Sequence, residues 1–356
     1  MKKHIIVMKN HLTILICVAC VAISCETVSK IGNQKVRLVS PDREEVLSKD
    51  NAFTGLGIDN MHAIALQIVS DSILVVQLQP TEETPEFFHA FSLRTMSSLG
   101  FFGKKGRGPG ELISPHMAKK MSGTKTMSVS ENSLAKAFNI DVQASIGTKT
   151  MVLSKESVLP QVSVDWIPLG DSSQLTLCME QDEFIFQVFG EKGTVVQTIR
   201  PYKGIDAQQK APYLSGLITG NASGDQAAVC LVCFPQVLYM DTITGQITAV
   251  AVDSEYKHWE STLNTMFGPQ TIEYYCSVTP SRDYLIAAYK GYSIGEGMTG
   301  SHGTQIHVFD WNGRFIHRIS VSETLSDICF DSSSRLLYAI DSSESSIVRY
   351  DLSGLL

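Results

Sequence analysis

Histidine and carboxylate side chains that could act together occur in two segments of this sequence, 253–271 and 290–303. These residues are His258, Glu260, Glu296 and His302. Imidazole and carboxylate groups are ligands of catalytic zinc sites, where the metal polarises a carbonyl or activates a bound water. The sequence lacks a serine nucleophile elbow, a His-Glu-x-x-His motif and an EF-hand loop. We therefore assign no catalytic residue, no metal ligand and no cofactor, and keep a metal-dependent enzyme as an alternative.

Aromatic residues in the same segments favour recognition of a partner over catalysis. Trp259 and Tyr292 are the two rings that we expect to anchor a partner, and a third long segment, 201–215, adds two tyrosines. Large amphipathic rings beside basic and acidic groups are typical of sites that recognise proteins, peptides or glycans. The predicted binding residues are Arg107, Glu111, Tyr202, Tyr213, His258, Trp259, Tyr292, Glu296 and His302.

Segment 253–271 also has the spacing of a short amphipathic helix. Tyr256, Trp259, Leu263 and Met266 recur every three or four residues. The structural alternative is a lid that packs on the rim of the fold without binding anything. For segment 290–303, which contains five glycines, the corresponding alternative is a flexible rim loop.

The stretch Gly106-Arg-Gly-Pro-Gly-Glu111 has the glycines of a phosphate loop but not its other features. It contains no Gly-Lys-Ser/Thr and no strand-loop-helix frame surrounds it. Its glycines permit positive φ, and Pro109 fixes its own φ. We predict that Arg107 braces the loop by pairing with a carboxylate or carbonyl groups of the neighbouring unit. An anion site is the alternative.

Short alternating segments must position all of these residues. From Thr304 to Gly354, apolar and polar residues alternate between turns rich in Asp, Asn, Ser and Gly, which is typical of antiparallel hairpins. Asp310-x-x-Gly313 recurs as Asp351-x-x-Gly354 at the end of the next unit. A six-residue spacing also repeats, from Cys276 to Arg282 and from Cys329 to Arg335. Units of four strands that recur about every 40 to 50 residues predict the blades of a β-propeller.

Six such units follow one another, and the sixth has only three strands. We predict that Lys35–Val39 supplies the missing outer strand and fastens the two chain ends together, because an open ring would expose unpaired strand edges. A β-sandwich, the alternative fold, would not explain the repeat length. The predicted fold is all-β, a six-bladed β-propeller over residues 35–356 that an N-terminal strand closes.

The lengths of the connections indicate which face of the propeller binds a partner. In a blade, the loops from second to third strand and from one blade to the next lie on the same face. The five long connections are 79–86, 102–116, 201–215, 253–271 and 290–303. All five therefore belong to one face, and long loops on a rigid scaffold often carry function. We predict that this long-loop face is the binding surface, and that the opposite, tight-turn face is not.

The N-terminus has the features of an export signal. A basic region with three lysines precedes an apolar run from Leu12 to Ile23, which is too short for a typical membrane span of about 20 residues. Ala22-Ile-Ser-Cys25 then resembles a bacterial lipobox. The resemblance implies a signal peptide over residues 1–24, acylation of Cys25 with chains such as palmitate, and a tether over 25–34. An uncleaved anchor or an ordinary signal peptide is the alternative.

The net charge and the number of cysteines argue against a nucleic-acid partner and against a disulfide framework. The formal net charge is −7, and no acidic residue precedes Cys25, so removal of the three leading lysines leaves the mature chain more acidic. Without a basic run of five or more residues, nucleic acid is not an expected partner. Five cysteines remain after Cys25, an odd number that suits small buried side chains better than a disulfide framework.

The chain resembles the TolB-like six-bladed β-propeller lipoproteins of Gram-negative bacteria. The lipobox at Ala22–Cys25, the number of blades and the motif Gly106–Glu111 carry this resemblance. It implies an outer-membrane lipoprotein, on the periplasmic side or at the cell surface, in a family with no agreed activity. We therefore expect a non-catalytic scaffold for an envelope protein, peptide or glycan. The alternatives are a metal-dependent lyase or lactonase at the axial pocket and a structural part of an envelope complex.

Overall fold

Six antiparallel sheets form in the chain order that the alternating segments predict. The computed structural model describes residues 28–31, 34–50, 62–160, 163–169, 173–180, 183–190, 193–202, 211–252, 263, 266–300 and 302–356. Three strands precede the first blade: β1 (Val28–Ile31), β2 (Gln34–Val39) and β3 (Arg43–Val46). The strands after β3 form six sheets, each built from strands that are consecutive in the chain, as expected of propeller blades.

The blades are numbered in chain order. Blade one contains β4 (Ala63–Val69), β5 (Ile73–Leu78), β6 (Glu86–Ser92) and β7 (Ser97–Lys104); blade two contains β8 (Pro115–Met117), β9 (Thr126–Glu131), β10 (Lys136–Asp141) and β11 (Leu153–Val158). Blade three contains β12 (Ser163–Leu169), β13 (Ser173–Glu180), β14 (Glu183–Phe189) and β15 (Val195–Ile199); blade four contains β16 (Gly216–Gly220), β17 (Gln226–Leu231), β18 (Gln236–Asp241) and β19 (Ile247–Val252). Blade five contains β20 (Ile272–Pro280), β21 (Tyr284–Ser293), β22 (Thr304–Asp310) and β23 (Phe315–Val321); blade six contains β24 (Leu325–Asp331), β25 (Leu336–Asp341) and β26 (Ser346–Asp351).

Aspartate side chains that accept backbone hydrogen bonds end several of these strands. Asp310 Oδ1 accepts from the backbone N–H groups of Asn312 at 2.9 Å and Arg314 at 2.8 Å, and Gly313 between them has φ +78°. Asp241 holds the corresponding turn of blade four in the same way. These side chains satisfy turn N–H groups that the ladder leaves unpaired, so the local sequence determines where each strand ends.

The hydrophobic core is a series of clusters between neighbouring blades. The largest lies between blades three and four and includes Val36 of the N-terminal segment. The smallest, between blades two and three, contains only Ala118, Ala137, Leu159 and Trp166. Blade two also has the shortest inner strand, and a larger apolar cluster packs it against blade one on its other side.

The N-terminal strand adds to a different blade from the one predicted. β2 pairs in parallel with β19 of blade four, and β3 pairs in parallel with β23 of blade five. At blade six, Asp50 is the only residue of the described N-terminal segment that pairs with the outer strand, through two backbone hydrogen bonds to Arg349 of 2.9 and 3.0 Å. The prediction that Lys35–Val39 closes blade six was therefore wrong. We refer to residues 28–31 and 34–50 as the N-terminal strap, because they run along three blades.

Two α-helices within blades two and five of the described residues interrupt the predicted strand pattern. Helix α1 (Val142–Thr148) follows the third strand of blade two and is capped by Asp141, whose Oδ1 accepts from the Ala144 N–H at 2.9 Å. The outer strand of that blade, Leu153–Val158, therefore begins only after this helix. Helix α2 (Ile294–Thr299) lies within the glycine-rich segment 290–303, so that segment is not an irregular loop throughout.

Candidate functional site

A buried carboxylate on the innermost strand of blade six joins four blades at the ring axis. Asp327 Oδ2 accepts from the backbone N–H of Leu66 in blade one at 2.6 Å and from Lys119 Nζ in blade two at 2.5 Å. Its Oδ1 accepts from the hydroxyl of Ser277 in blade five at 2.6 Å. Because these contacts are short and at least partly buried, this carboxylate is a structural centre rather than a free reactive group.

Asp165 occupies the corresponding place in blade three, on the opposite side of the ring. Its Oδ2 accepts from the backbone N–H of Ile218 in blade four at 2.9 Å, and its Oδ1 lies 3.3 Å from His116 Nε2. Desolvation lowers the pKa of His116, but the hydrogen bond and charge of Asp165 outweigh it, so the pKa is raised. This pair also joins the inner strands of neighbouring blades.

A cavity of about 960 Å³ lies at the axis, on the tight-turn face. Its walls come mainly from the turns that join the first and second strands of the blades. The basic and acidic side chains that line it are Lys119, Lys120, Lys125, Arg282, Arg335, Asp71 and Asp283. With Lys119 already paired to Asp327 and Arg335 bonded to the backbone oxygen of Leu356, the three remaining basic groups face two carboxylates. The cavity is therefore positively charged in a protein whose net charge is −7.

The charged residues occupy only part of the cavity wall. Blades one, two, five and six supply all of them, whereas the lining residues from blades three and four are uncharged: Ile167, Pro168, Gly220, Asn221, Ala222 and Gly224. Hydroxyl groups, including those of Ser122, Ser281 and Ser332, lie among the charges. The arrangement suits a ligand with an acidic group at one end and a neutral, hydrogen-bonding body.

Lys120 is the least exposed of the basic groups that no carboxylate neutralises. Its Nζ donates to Ser128 Oγ at 3.1 Å, and the Ser128 hydroxyl donates in turn to Asn139 Oδ1 at 2.6 Å. No carboxylate of the described residues lies within ion-pairing distance of this ammonium group. Burial therefore lowers the pKa of Lys120 to about 8. A negative charge brought by a ligand would stabilise the protonated form.

On the long-loop face, the structure brings together three predicted binding residues. The Tyr292 and His302 rings lie 4.7 Å apart, and His302 Nε2 lies 3.1 Å from the backbone oxygen of Glu296. Glu296 Oε2 accepts from both the N–H and the hydroxyl of Ser293 at 2.8 Å, which holds its pKa below the usual range. Glu296 thus caps helix α2 in a capping box and, within the described residues, is engaged in local structure.

Exposed apolar side chains surround this group at blade five. Met266, Phe267, Ile272 and Met298 are 93, 46, 39 and 81% exposed. The backbone N–H of Gly295 donates to the Pro269 carbonyl at 2.7 Å, so helix α2 packs against the segment that carries the first three. Clustered exposed methionine and phenylalanine are typical of protein interaction surfaces.

Two other predicted binding residues are buried. Tyr202 and Tyr213 are 2% and 0% exposed and belong to the core between blades three and four. The Tyr213 ring contacts Phe267 edge-on, with 5.6 Å between ring centroids. The sequence could not separate a surface ring from a packing ring in segment 201–215, and the structure assigns both of these rings to packing.

The glycine motif 106–111 is braced by its glutamate. Glu111 Oε2 accepts from the Gly108 N–H at 2.7 Å, and a Cβ atom at Gly106 would lie 1.9 Å from the same oxygen. A side chain at position 106 would therefore force the Glu111 carboxylate to move and would disturb this brace. Arg107 is exposed and forms no ion pair within the described part of the chain. Glu111 therefore braces the loop from within, and the predicted pairing of Arg107 with a carboxylate or carbonyl groups of the neighbouring unit is not present among the described residues.

Several predicted residues lie outside the described ranges. These are Cys25, His258, Glu260 and Trp259. Of the predicted helical stripe in 253–271, Leu263 is helical and buried at 3% exposure, whereas Met266 is almost fully exposed. Leu263 packs on the core of blades three and four, as the lid interpretation requires.

The cysteines after Cys25 are free thiols, and four of the five are buried. Cys230 and Cys233 belong to clusters on opposite sides of blade four, so this Cys-x-x-Cys spacing separates the two thiols. Within the described ranges, no group of three or more His, Cys, Asp or Glu residues could hold a metal ion. In the same ranges, no helix has both the length and the apolar character needed to cross a bilayer.

Sequence reasoning missed the basic residues of the axial cavity. Arg282 and Arg335 end the repeated six-residue spacing, and both lie in turns at the cavity mouth. Lys119, Lys120 and Lys125 come from the connection between β8 and β9, in the blade with the shortest inner strand. The sequence repeat is the signal that could have revealed these residues. Basic residues in the corresponding turns of successive blades must meet at the axis.

The chain matches the family described as "TolB-like 6-blade propeller-like" over residues 63–333. No curated protein matches it. Among solved structures, a member of the DUF4221 family from Bacteroides vulgatus is similar at 9% identity and a TM-score of 0.55, covering 92% of this chain and 98% of that one. A putative exported protein from Bacteroides fragilis is similar at 12% identity and a TM-score of 0.50, covering 88% and 93%. At such identities these likenesses show the fold alone.

Proposed function

Since the chain belongs to the family of TolB-like six-bladed propellers, we propose that it is a binding protein of the cell envelope. Its ligand is an acidic oligosaccharide held in the axial cavity of the tight-turn face. A propeller of this family suits a binding or scaffold role, and anchoring through an acylated Cys25 follows from the lipobox resemblance. This differs from the sequence-based expectation in one respect: the principal site is on the face opposite the long loops.

The observation that carries the proposal is the unneutralised Lys120 in the cavity. A partly buried ammonium group with only a hydroxyl partner is costly to keep charged, as its lowered pKa of about 8 indicates. A ligand carboxylate or sulfate would provide the missing counter-charge through a charge-assisted hydrogen bond. Arg282, Arg335 and Lys125 at the mouth would strengthen attraction of an anion from solution.

The rest of the lining favours a sugar as the body of the ligand. Serine, threonine and asparagine side chains can both donate to and accept from sugar hydroxyls. The uncharged part of the wall, with Pro168 and Ala222, provides surface for the apolar faces of sugar rings. The cavity volume of about 960 Å³ lies within the range of sites that enclose a small ligand.

We expect Lys120→Met to weaken binding of uronic-acid oligosaccharides at least about tenfold, because a charge-assisted bond contributes about 1.5–3 kcal/mol. Lys105→Met is the matched control, since it removes the same charge from an exposed position on the opposite face. Isothermal titration calorimetry on both variants and wild type, at pH 6.5 to 9.5, measures the effect. Wild-type affinity should fall as pH rises above about 8, where Lys120 loses its proton, and the variant should lack this dependence.

Equal affinity of Lys120→Met and wild type for the oligosaccharide would show that the ligand does not bind beside Lys120 in the axial cavity. Equal binding of neutral and acidic oligosaccharides would show that charge does not select the ligand. Binding of short acidic peptides or inorganic phosphate in place of the sugars would keep the site and change its ligand class.

The long-loop face is a second candidate site, for a protein partner. The exposed Met266, Phe267 and Met298 beside Tyr292 favour it. We expect Tyr292→Ala and Trp259→Ala to lower recovery of an envelope partner, with a loss of about 30-fold in affinity if either ring is an anchor. A pull-down from envelope extract with both variants and Lys120→Met separates the two faces. Equal recovery by all folded variants would exclude these two anchors.

A further inference from the structure

The N-terminal strap fixes where the chain leaves the propeller. β1 pairs with β2 in antiparallel register, Val28 opposite Arg37 and Ile31 opposite Gln34. Because β2 pairs with β19, β1 is the outermost strand of a six-stranded sheet at the rim of blade four. The residues that precede Val28 therefore begin at this rim, and not at the axis or at the other side of the ring.

The N-terminal strap is firmly attached to the ring, so the point at which the chain leaves the propeller is fixed. Val36 is fully buried, and the Arg37 guanidinium donates to the backbone oxygens of Asn312 and Gly313 at 3.0 and 3.2 Å. Farther along, Glu44 pairs with Arg318 at 2.7 Å, and Lys49 pairs with Glu344 at 2.6 Å. The strap could swing away from the ring only by breaking strand pairing and ion pairs on three blades.

We infer that the rim of blade four faces the lipid bilayer, so that the propeller stands on its edge at the membrane. This rests on the proposed acylation of Cys25, which precedes Val28 by three residues. Three residues span at most about 11 Å, so the acyl chains must enter the membrane close to this rim. Ile243, 76% exposed in the turn between β18 and β19, and the exposed Lys35 on β2 would then meet the lipid surface.

An edge-on position has a consequence for the proposed binding sites. In a ring of six blades, blade one lies opposite blade four, so its outer strand β7 points away from the bilayer. Neither the tight-turn face nor the long-loop face is then covered by lipid. A ligand in the axial cavity and a protein on the long loops could both reach the anchored molecule from the side.

Fluorescence quenching in proteoliposomes tests this orientation. The acylated protein is labelled with a thiol-reactive bimane at Ile243→Cys or, as the matched control, at Leu99→Cys on β7, which is also apolar and 40% exposed. Wild type labelled in parallel corrects for the native thiols, most of which are buried. With lipids that carry a nitroxide near the headgroup, we expect severalfold stronger quenching at position 243 than at position 99. Equal quenching, or stronger quenching at position 99, would overturn the edge-on orientation.

Cys25→Ala separates failure of the orientation from failure of the anchor. This variant should lack the acyl mass, remain in the soluble fraction and show no quenching at either position. If wild type also lacks the acyl mass, both the anchor and the orientation fail. Acylated wild type with the reversed quenching pattern rejects only the orientation. Ligand affinity at Lys120 is measured separately, on protein in solution, and is independent of both outcomes.

Discussion

Asp327→Ala is expected to lower the free energy of unfolding by about 3–5 kcal/mol, because it leaves a partly buried lysine without its counter-charge. Lys119, whose side chain is only 15% exposed, would keep just two carbonyl contacts, each at 3.3 Å. The Leu66 N–H and the Ser277 hydroxyl would each lose a 2.6 Å hydrogen bond to Asp327. Blades one, two, five and six would thus be weakened together. Urea unfolding followed by circular dichroism measures the loss.

Glu180→Ala is the matched control for this variant. Glu180 pairs with Arg200 on the surface of blade three, where both side chains are substantially exposed, so its loss should cost no more than about 1 kcal/mol. Adding Lys119→Met to Asp327→Ala should recover part of the stability, since it removes the unpaired charge. If Asp327→Ala is no less stable than Glu180→Ala, the axial carboxylate does not hold the blades together.

The blades could be predicted from the sequence because their information is local. Alternation within β21 to β26 sets which face each residue occupies, and aspartates such as Asp310 and Asp241 accept the turn hydrogen bonds that end strands. The three-stranded sixth blade was also evident, since its strands and turns are consecutive. These features depend on residues within a few positions of one another.

The axial contacts could not be predicted in the same way. Lys119 and Asp327 are 208 positions apart and meet only because the ring brings blade two close to blade six. Each residue alone resembles an ordinary surface charge. The cavity likewise forms from residues of six blades. Loop length favours the opposite face and therefore did not reveal it.

No local sequence signal indicates which blade the N-terminal strand joins. Parallel addition to an outer edge needs no turn motif, and the outer edges of blades four, five and six were all possible partners for Lys35–Val39. Side-chain packing determines which edge the strand joins. Val36 fits the apolar cluster between blades three and four, where it is fully buried. That fit becomes visible only when both blades are in place.

Val36→Asp is accordingly expected to release the strap from blade four. A carboxylate cannot remain in this apolar cluster without a partner, so the strand should leave the edge of β19 for water. We expect a loss of about 3 kcal/mol or more in the free energy of unfolding, limited by the docking free energy of the strap. Limited proteolysis should then cleave within residues 34–50 while the blades stay intact. Lys35→Asp, which introduces the same carboxylate at the adjacent exposed position, should melt and digest like wild type. Resistance of Val36→Asp to both denaturant and protease, at wild-type level, would show that the strap does not depend on blade four.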